Sequence, residues 1–309
     1  MNKQQRGVTL IELMISMVLG LALIAGVSSL FLQMQKSNRV QRALGAMADE
    51  SSYVQEVLQK EIRRADGLRS KSDLNGTEDK VFIVRNNILA SGLNFAPAAT
   101  PALPPASGEY IKGGVNGAND AFVIRYQLLD VNDLSVGSSS NGSSPCTQNV
   151  LLAADEDPAV QEHVVSVYFY LNGNTLSCAA QRSRQDIKNG VAETCIANCT
   201  STTNYAPLTG QAVDLISNVV KLKLSYGVDD NIGGGRDNAA NYYVDAASVP
   251  AGKWKDIVSV RLSVVVRSAA DNLTDTIVPY TIDGTSVTPT DHRLYKVFTT
   301  TIALRNRLL

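Results

Sequence analysis

Residues 8–32, "VTLIELMISMVLGLALIAGVSSLFL", are 25 residues with one charge among them, Glu12. As a helix this run covers roughly 37 Å at 1.5 Å per residue. That is enough to span a hydrocarbon core of about 30 Å. The flank "MNKQQRG" carries Lys3 and Arg6 and no acid. Such a flank keeps its end in the cytoplasm and sends the rest of the chain across. A secretory signal would have a shorter apolar core, with a small-residue cleavage site after it. Here the core is long, and the small residue, Gly7, precedes it. A plain signal anchor explains neither Gly7 at the boundary nor Glu12 inside, where a carboxylate costs a few kcal/mol.

A short basic leader ending in Gly7, then an apolar helix with an acid five residues in, resembles the type IV prepilin signal. The resemblance implies cleavage after Gly7 by a membrane prepilin peptidase and N-methylation of the new amine on Val8. Val8 departs from the phenylalanine usual in major pilins. The resemblance also implies that Glu12 pairs with the N-terminal amine of a neighbouring subunit during assembly. Two buried charges are costly apart and tolerable together, so such a pair fixes register more than it adds stability. The structural alternative is that Glu12 snorkels toward the interface.

Beyond residue 32, Val40, Leu44, Met47, Val54, Leu58, Glu61 or Ile62, and Ala65 recur at spacings of three, four and seven. This is an amphipathic continuation of the helix. No proline occurs before Pro97, and "ADG" ending at Gly67 is a plausible stop. One helix is expected from 8 to about 66, with 33–66 outside the membrane and packed on a sheet. After Gly67 the period becomes two. Strands are expected at "KVFIVR", "AFVIRYQLL", "HVVSVYFYL", "TLSCA" and "RLYKVFTTTIALRNRLL". Val220, Leu222, Leu224 and Tyr226 alternate with Lys221, Lys223 and Ser225. Val258, Val260, Leu262, Val264 and Val266 alternate with Ser259, Arg261, Ser263 and Arg267. That pattern suits antiparallel sheets with one wet face. The proline-rich "APAATPALPPASG" and polar "GSSSNGSSPC" read as loops. The expected architecture is therefore α+β: leader 1–7, transmembrane part 8–32, helix extension 33–66, and one β-rich head over 67–309.

A net charge of -1 argues against a nucleic-acid partner. Only His163 and His292 are available as imidazole bases, and no nucleophile elbow, phosphate loop or zincin motif occurs. An enzyme is not expected, nor is a cofactor. The four cysteines are Cys146, Cys178, Cys195 and Cys199. All lie beyond the apolar run, so export would favour disulfides. Pairing between neighbours gives Cys146–Cys178 and Cys195–Cys199, one of three connectivities. A zinc site is disfavoured because spacings of 32, 17 and 4 lack paired C-x-x-C knuckles. The stretch "GVDDNIGGGRDN" offers Asp229, Asp230 and Asp237 as calcium ligands, but it does not alternate its acids or end in Glu as an EF-hand does. A wide turn is the simpler reading.

The C-terminal part carries Tyr226, Gly227, Asp229, Tyr243, Ala246 and Trp254 before a valine-rich strand. It ends in Phe298, Thr299, Thr300, Thr301 and "ALRNR". In these positions the chain resembles the PilW minor pilins, over about the first 65 and last 85 residues. The resemblance implies a pilin-like fold and a part in priming type IV pilus growth, ending at or near the filament tip. Its implied partners are other minor pilins, the major pilin, prepilin peptidase and often a large tip adhesin. The location implied is the inner membrane with a periplasmic head, then the pilus. A J-type pseudopilin of type II secretion is the alternative. A head acting as a binding module and an anchored periplasmic enzyme are the readings from other classes.

Overall fold

The computed structural model describes residues 9–65, 110–116, 118–127, 135–136, 146, 151–152, 161–188, 191–192, 212–230 and 237–304. Gly7, Val8, Cys195, Cys199 and the expected "KVFIVR" strand lie outside them. Helix α1 (Leu10–Arg64) is unbroken and about 82 Å long. Its sequence holds no proline, and Arg63 and Arg64 in the last turn suit the negative end of the helix dipole. The helix closes at Ala65, whose amide bonds the Ile62 carbonyl.

Two antiparallel sheets follow. The first joins β1 (Ile111–Asn116), β2 (Asn119–Gln127), β5 (Gln161–Asn172), β6 (Thr175–Lys188) and β7 (Val191–Ala192) in that order, and β8 (Val213–Ile216) also pairs with β6. Gly173, at φ 60, turns the β5–β6 hairpin. The second sheet has the order β10 (Tyr242–Val244), β9 (Val219–Val228), β11 (Ile257–Arg267), β14 (Tyr295–Ala303). A small hairpin of β12 (Tyr280–Ile282) and β13 (Thr285–Val287) turns at Asp283–Gly284, and Tyr280 stacks on Tyr295 of β14. The two-residue strands β3 (Ser135–Val136) and β4 (Leu151–Leu152) form a parallel pair. The fold is α+β.

One core unites the three layers. Met47, Val54, Leu58 and Ile62 of α1 meet Phe122, Ile124 and Phe169 of the first sheet, and Leu224, Leu262 and Ile302 of the second. The sheets are also joined by polar bonds. The Val219 amide donates to the Asn174 carbonyl at 3.0 Å, and the Leu224 amide to Asp120 Oδ2 at 2.7 Å. Burial pushes the Asp120 carboxyl up, opposed by the Leu224 amide and then Lys223. Within the core, Glu61 lies 3.5 Å from Arg64 and accepts the Tyr126 hydroxyl at 3.3 Å. Burial, then the Glu61 charge, push the Tyr126 phenol up.

The packing departs from the sequence pattern in three places. Leu44 is 43% exposed and Val40 is only half-buried, so the fully buried stripe of α1 starts at Met47. On β9 it is Val219 that is buried, while Val220 is half-exposed. A register shift where β11 passes from Val265 to Val266 skips one residue of β9 and flips the alternation. On β11 the second face is not wet: Ser259, Ser263 and Val265 are buried and only Arg261 is exposed. Cross-strand partners occupy that face. Ser259 bonds Tyr243 at 2.9 Å, Ser263 bonds Thr299 at 3.0 Å, and Val265 sits between Val297 and the stem of Lys221.

Four of the residues that carried the C-terminal resemblance, Tyr226, Gly227, Tyr243 and Trp254, build one joint at the far end of this sheet. Tyr226 meets Trp254 edge to face at 4.8 Å, and the Arg261 guanidinium lies over the Tyr243 ring at 4.3 Å. Gly227 is hemmed in by this joint. A Cβ there would run into the Ser259 hydroxyl and come within 2.7 Å of the Ala240 Cβ. Gly227→Ala should therefore overpack the joint and destabilise the head by about 1–3 kcal/mol. The check is a lowered Tm for the full chain in detergent; an unchanged Tm would show that Ser259 and Ala240 can yield.

Candidate assembly interface

Among the described residues one helix is long and apolar enough to cross a membrane, and none of its most apolar window is buried in the subunit. From Leu10 to Met34 the large apolar side chains of α1 are all more than half exposed. Nothing in the described subunit covers this half of the helix. Its interface has to be completed by lipid or by other chains.

Glu12 begins this surface. Thr9 is the N-cap, with φ -72° and ψ 148°, and the pair form a reciprocal capping box. The Thr9 amide and hydroxyl each donate to Glu12 Oε2 at 3.1 Å, and the Glu12 amide donates to Thr9 Oγ1 at 3.3 Å. The carboxylate is thus held against its own helix N-terminus, where the free amides and the dipole favour negative charge. This lowers the cost of Glu12 in a membrane before any neighbour is present. Thr9 was the residue that the sequence reading missed, although Thr9-x-x-Glu12 before an apolar run is a legible capping signature. Thr9→Ala should weaken the box by about 1 kcal/mol. Fraying of the first turn, read by amide exchange in detergent, is the expected result.

The other candidate sites fall elsewhere. Cys146 and Cys178 form a disulfide with Cα atoms 5.6 Å apart, both buried in the core. Asp229, Asp230 and Asp237 brace a turn. Asp229 is buried, its amide donates to the Asp256 carbonyl, and its carboxylate accepts the Asn238 amide at 3.1 Å. The Asp230 amide donates to Asn241 Oδ1, and Asp237 accepts from the Ala239 amide. Among the described residues no group of three or more His, Cys, Asp or Glu side chains is placed to hold a metal. His292 donates its backbone amide to Asp271 and sets its ring against the Thr274 carbonyl, so it braces a loop. The side chain of His163 lies outside the described residues.

Two family models match the chain. One, the prokaryotic N-terminal methylation motif, covers residues 2–28 and so takes in Gly7, Val8 and Glu12. The other, type IV pilus-assembly protein W, covers residues 187–306 and takes in the second sheet with its Tyr226–Trp254 joint. No curated protein matches the chain. Among solved structures, a type IV-like pilin from Thermus thermophilus, TTHA1219, is 11% identical, with 85% of this chain and 98% of that one covered at a TM-score of 0.34.

Proposed function

We propose that this chain, which belongs to the PilW family of type IV pilus-assembly proteins, is a minor pilin that helps to prime pilus growth and is built in at or near the filament tip. In this reading prepilin peptidase cuts after Gly7, the amine of Val8 is methylated, and the head waits on the periplasmic face of the inner membrane. The observation that carries it is the division of α1. The half from Met47 onward is committed to the subunit's own core, while the half from Leu10 to Met34 is fully presented with Glu12 at its start. A helix so divided is both a membrane anchor and, once extracted, a surface for packing against other pilin helices. Two further features support the orientation. Lys3 and Arg6 precede the apolar run, and the Cys146–Cys178 disulfide needs an oxidising compartment.

The partners are then other minor pilins and the major pilin through the helix, with a large tip adhesin on the head. The role is mechanical, and the head acts by shape and position. A clean deletion strain tests this, assayed for sheared surface pili and for exoprotein release, with mass spectrometry of the parent's pili. Loss of pili with normal secretion is the expected outcome, with traces of this protein starting at methylated Val8 in the parent filaments. Normal pili with blocked exoprotein release would instead make it a secretion pseudopilin.

A further inference from the structure

Three contacts give the height at which each part of the head meets α1. Gln59 donates to the Thr300 hydroxyl of β14 at 3.2 Å. Leu273 is buried in a groove shared with Met47 and Ala43. Lys36 reaches the carboxylate of Asp275, Nζ to Oδ1 2.5 Å. At 1.5 Å per residue, Gln59 and Lys36 stand about 35 Å apart along the axis, and Lys36 is only about 6 Å beyond Leu32. β14 therefore climbs away from the apolar run, and the segment following β11 descends toward it, from Leu273 to Asp275.

The end of that descent is apolar and uncovered. Residues 275–279 are all exposed. Among the described residues of the sheets and their connections, the large exposed hydrophobics are Val115, Ile277 and Val278, the last two at 42% and 46%. Beside them α1 turns a basic side: Lys36, Arg39 and Arg42 are exposed and follow at three-residue spacing, within one 120° arc of the helix. Three acids lie nearby, and one of them, Glu50, shares the groove with Arg39 and Arg42. Asp275 is taken by Lys36, and Asp271 accepts the amides of Asn272 and His292. The bilayer's polar layer is about 5–7 Å thick on each side of the hydrocarbon, which is the level at which Lys36 emerges.

We propose that the 274–279 loop is a membrane-surface contact: Ile277 and Val278 enter the lipid interface beside the emerging helix, while Arg39 and Arg42, one and two turns above the Lys36–Asp275 pair, reach back toward the phosphates of that leaflet. The head then stands seated on the bilayer before assembly. Lipid is the favoured occupant because the patch is continuous with the span, with one helical turn between Leu32 and Lys36, and because its charge complements phosphate. Each cation near an anionic surface shifts the seated-to-free ratio about fivefold. The inference rests on the reading that the apolar half of α1 lies in a membrane, and the test separates the two.

The full chain is placed in nanodiscs of phosphatidylethanolamine and phosphatidylglycerol, with ordinary or brominated acyl chains. Trp254 is the chain's own tryptophan. It is buried beside Tyr226 at the membrane-distal end of β11, so it serves as an unquenched reference. Bromolipid should remove most of the added emission of Ile277→Trp and of Val278→Trp. Arg39→Gln with Arg42→Gln should reduce that quenching more in phosphatidylglycerol discs than in phosphatidylcholine discs. No quenching at 277 or 278 while a Leu30→Trp control is quenched would overturn the proposal and leave the span intact. Shielding of the loop from aqueous iodide only when other pilins are added would also overturn it, assigning the patch to a protein partner. If Leu30→Trp is unquenched as well, the membrane reading itself fails and this proposal with it.

Discussion

Glu12→Ala and Glu12→Gln should both leave the chain cleaved, inserted and folded, and both should remove it from sheared pili. The comparison between them isolates charge from capping. Glutamine at the third helical position can still complete a capping box, so it keeps the bonds from Thr9 that Glu12 accepts at 3.1 Å. Alanine keeps none of them. If the carboxylate only terminates its own helix, glutamine should rescue incorporation. If the carboxylate pairs with the amine of a neighbouring subunit, glutamine should fail as alanine does. Removal of a charge that costs a few kcal/mol in hydrocarbon cannot impair insertion, so loss of the protein from the membrane fraction is not expected. The readouts are quantitative mass spectrometry of sheared filaments and the mass of the mature N-terminus. Normal incorporation of both variants would remove Glu12 from the assembly mechanism.

The box with Thr9 adds a step to that mechanism. In the free subunit the carboxylate is bound within its own first turn. In the pairing proposed for assembly a neighbour's amine competes with two hydrogen bonds, and a charge-assisted contact is the stronger partner. Thr9→Ala should leave Glu12 less well held before assembly but equally able to pair afterwards. Its effect on piliation should therefore be milder than either change at Glu12.

Much of the fold was written in periodicity, because the helix and most strands each have one face in a single shared core. The spacing of Met47, Val54, Leu58 and Ile62 marks the docked face of α1, and the alternation of Leu222, Leu224 and Tyr226 marks the inner face of β9. Periodicity does not show where a partner stops. Val40 and Leu44 fit the stripe, but the segment that descends past them meets Ala43 and Lys36 and leaves Leu44 exposed, and only the tertiary structure sets that limit. The bulge on β9 was hidden because Val219 and Val220 are chemically equal, so the sequence carries no mark of which one turns inward. The dry second face of β11 was hidden for another reason. Serines read as solvent-facing until Tyr243 and Thr299 are found opposite them. The acids at 229 and 237 show the converse, since residues typical of cation loops here satisfy backbone amides of their own turn.

Breaking the Cys146–Cys178 bond should be the largest single loss of stability in the head. The bridge closes a loop with a sequence separation of 32, and chain entropy alone puts its contribution at about 3–4 kcal/mol. Its position adds to this. Cys178 lies opposite Phe169 in the β5–β6 register, and Phe169 stacks on Phe122 at 4.9 Å in the layer that faces α1. Substitution by serine would confound two effects, because a hydroxyl left in that layer carries its own burial cost. Reduction keeps every core heavy atom and, in a Cys195→Ala, Cys199→Ala background that excludes the other expected bridge, removes only this bond, so it measures the constraint itself. Unfolding of the full chain in detergent should show a Tm well below the oxidised value after reduction, and Cys146→Ala with Cys178→Ala should fall at least as far. An alanine pair much less stable than the reduced chain would mean that the sulfur atoms matter as core volume. A reduced chain as stable as the oxidised one would mean that β6 and its neighbours hold Cys178 in place without the bridge, and that the bond's role is kinetic protection of the head after export.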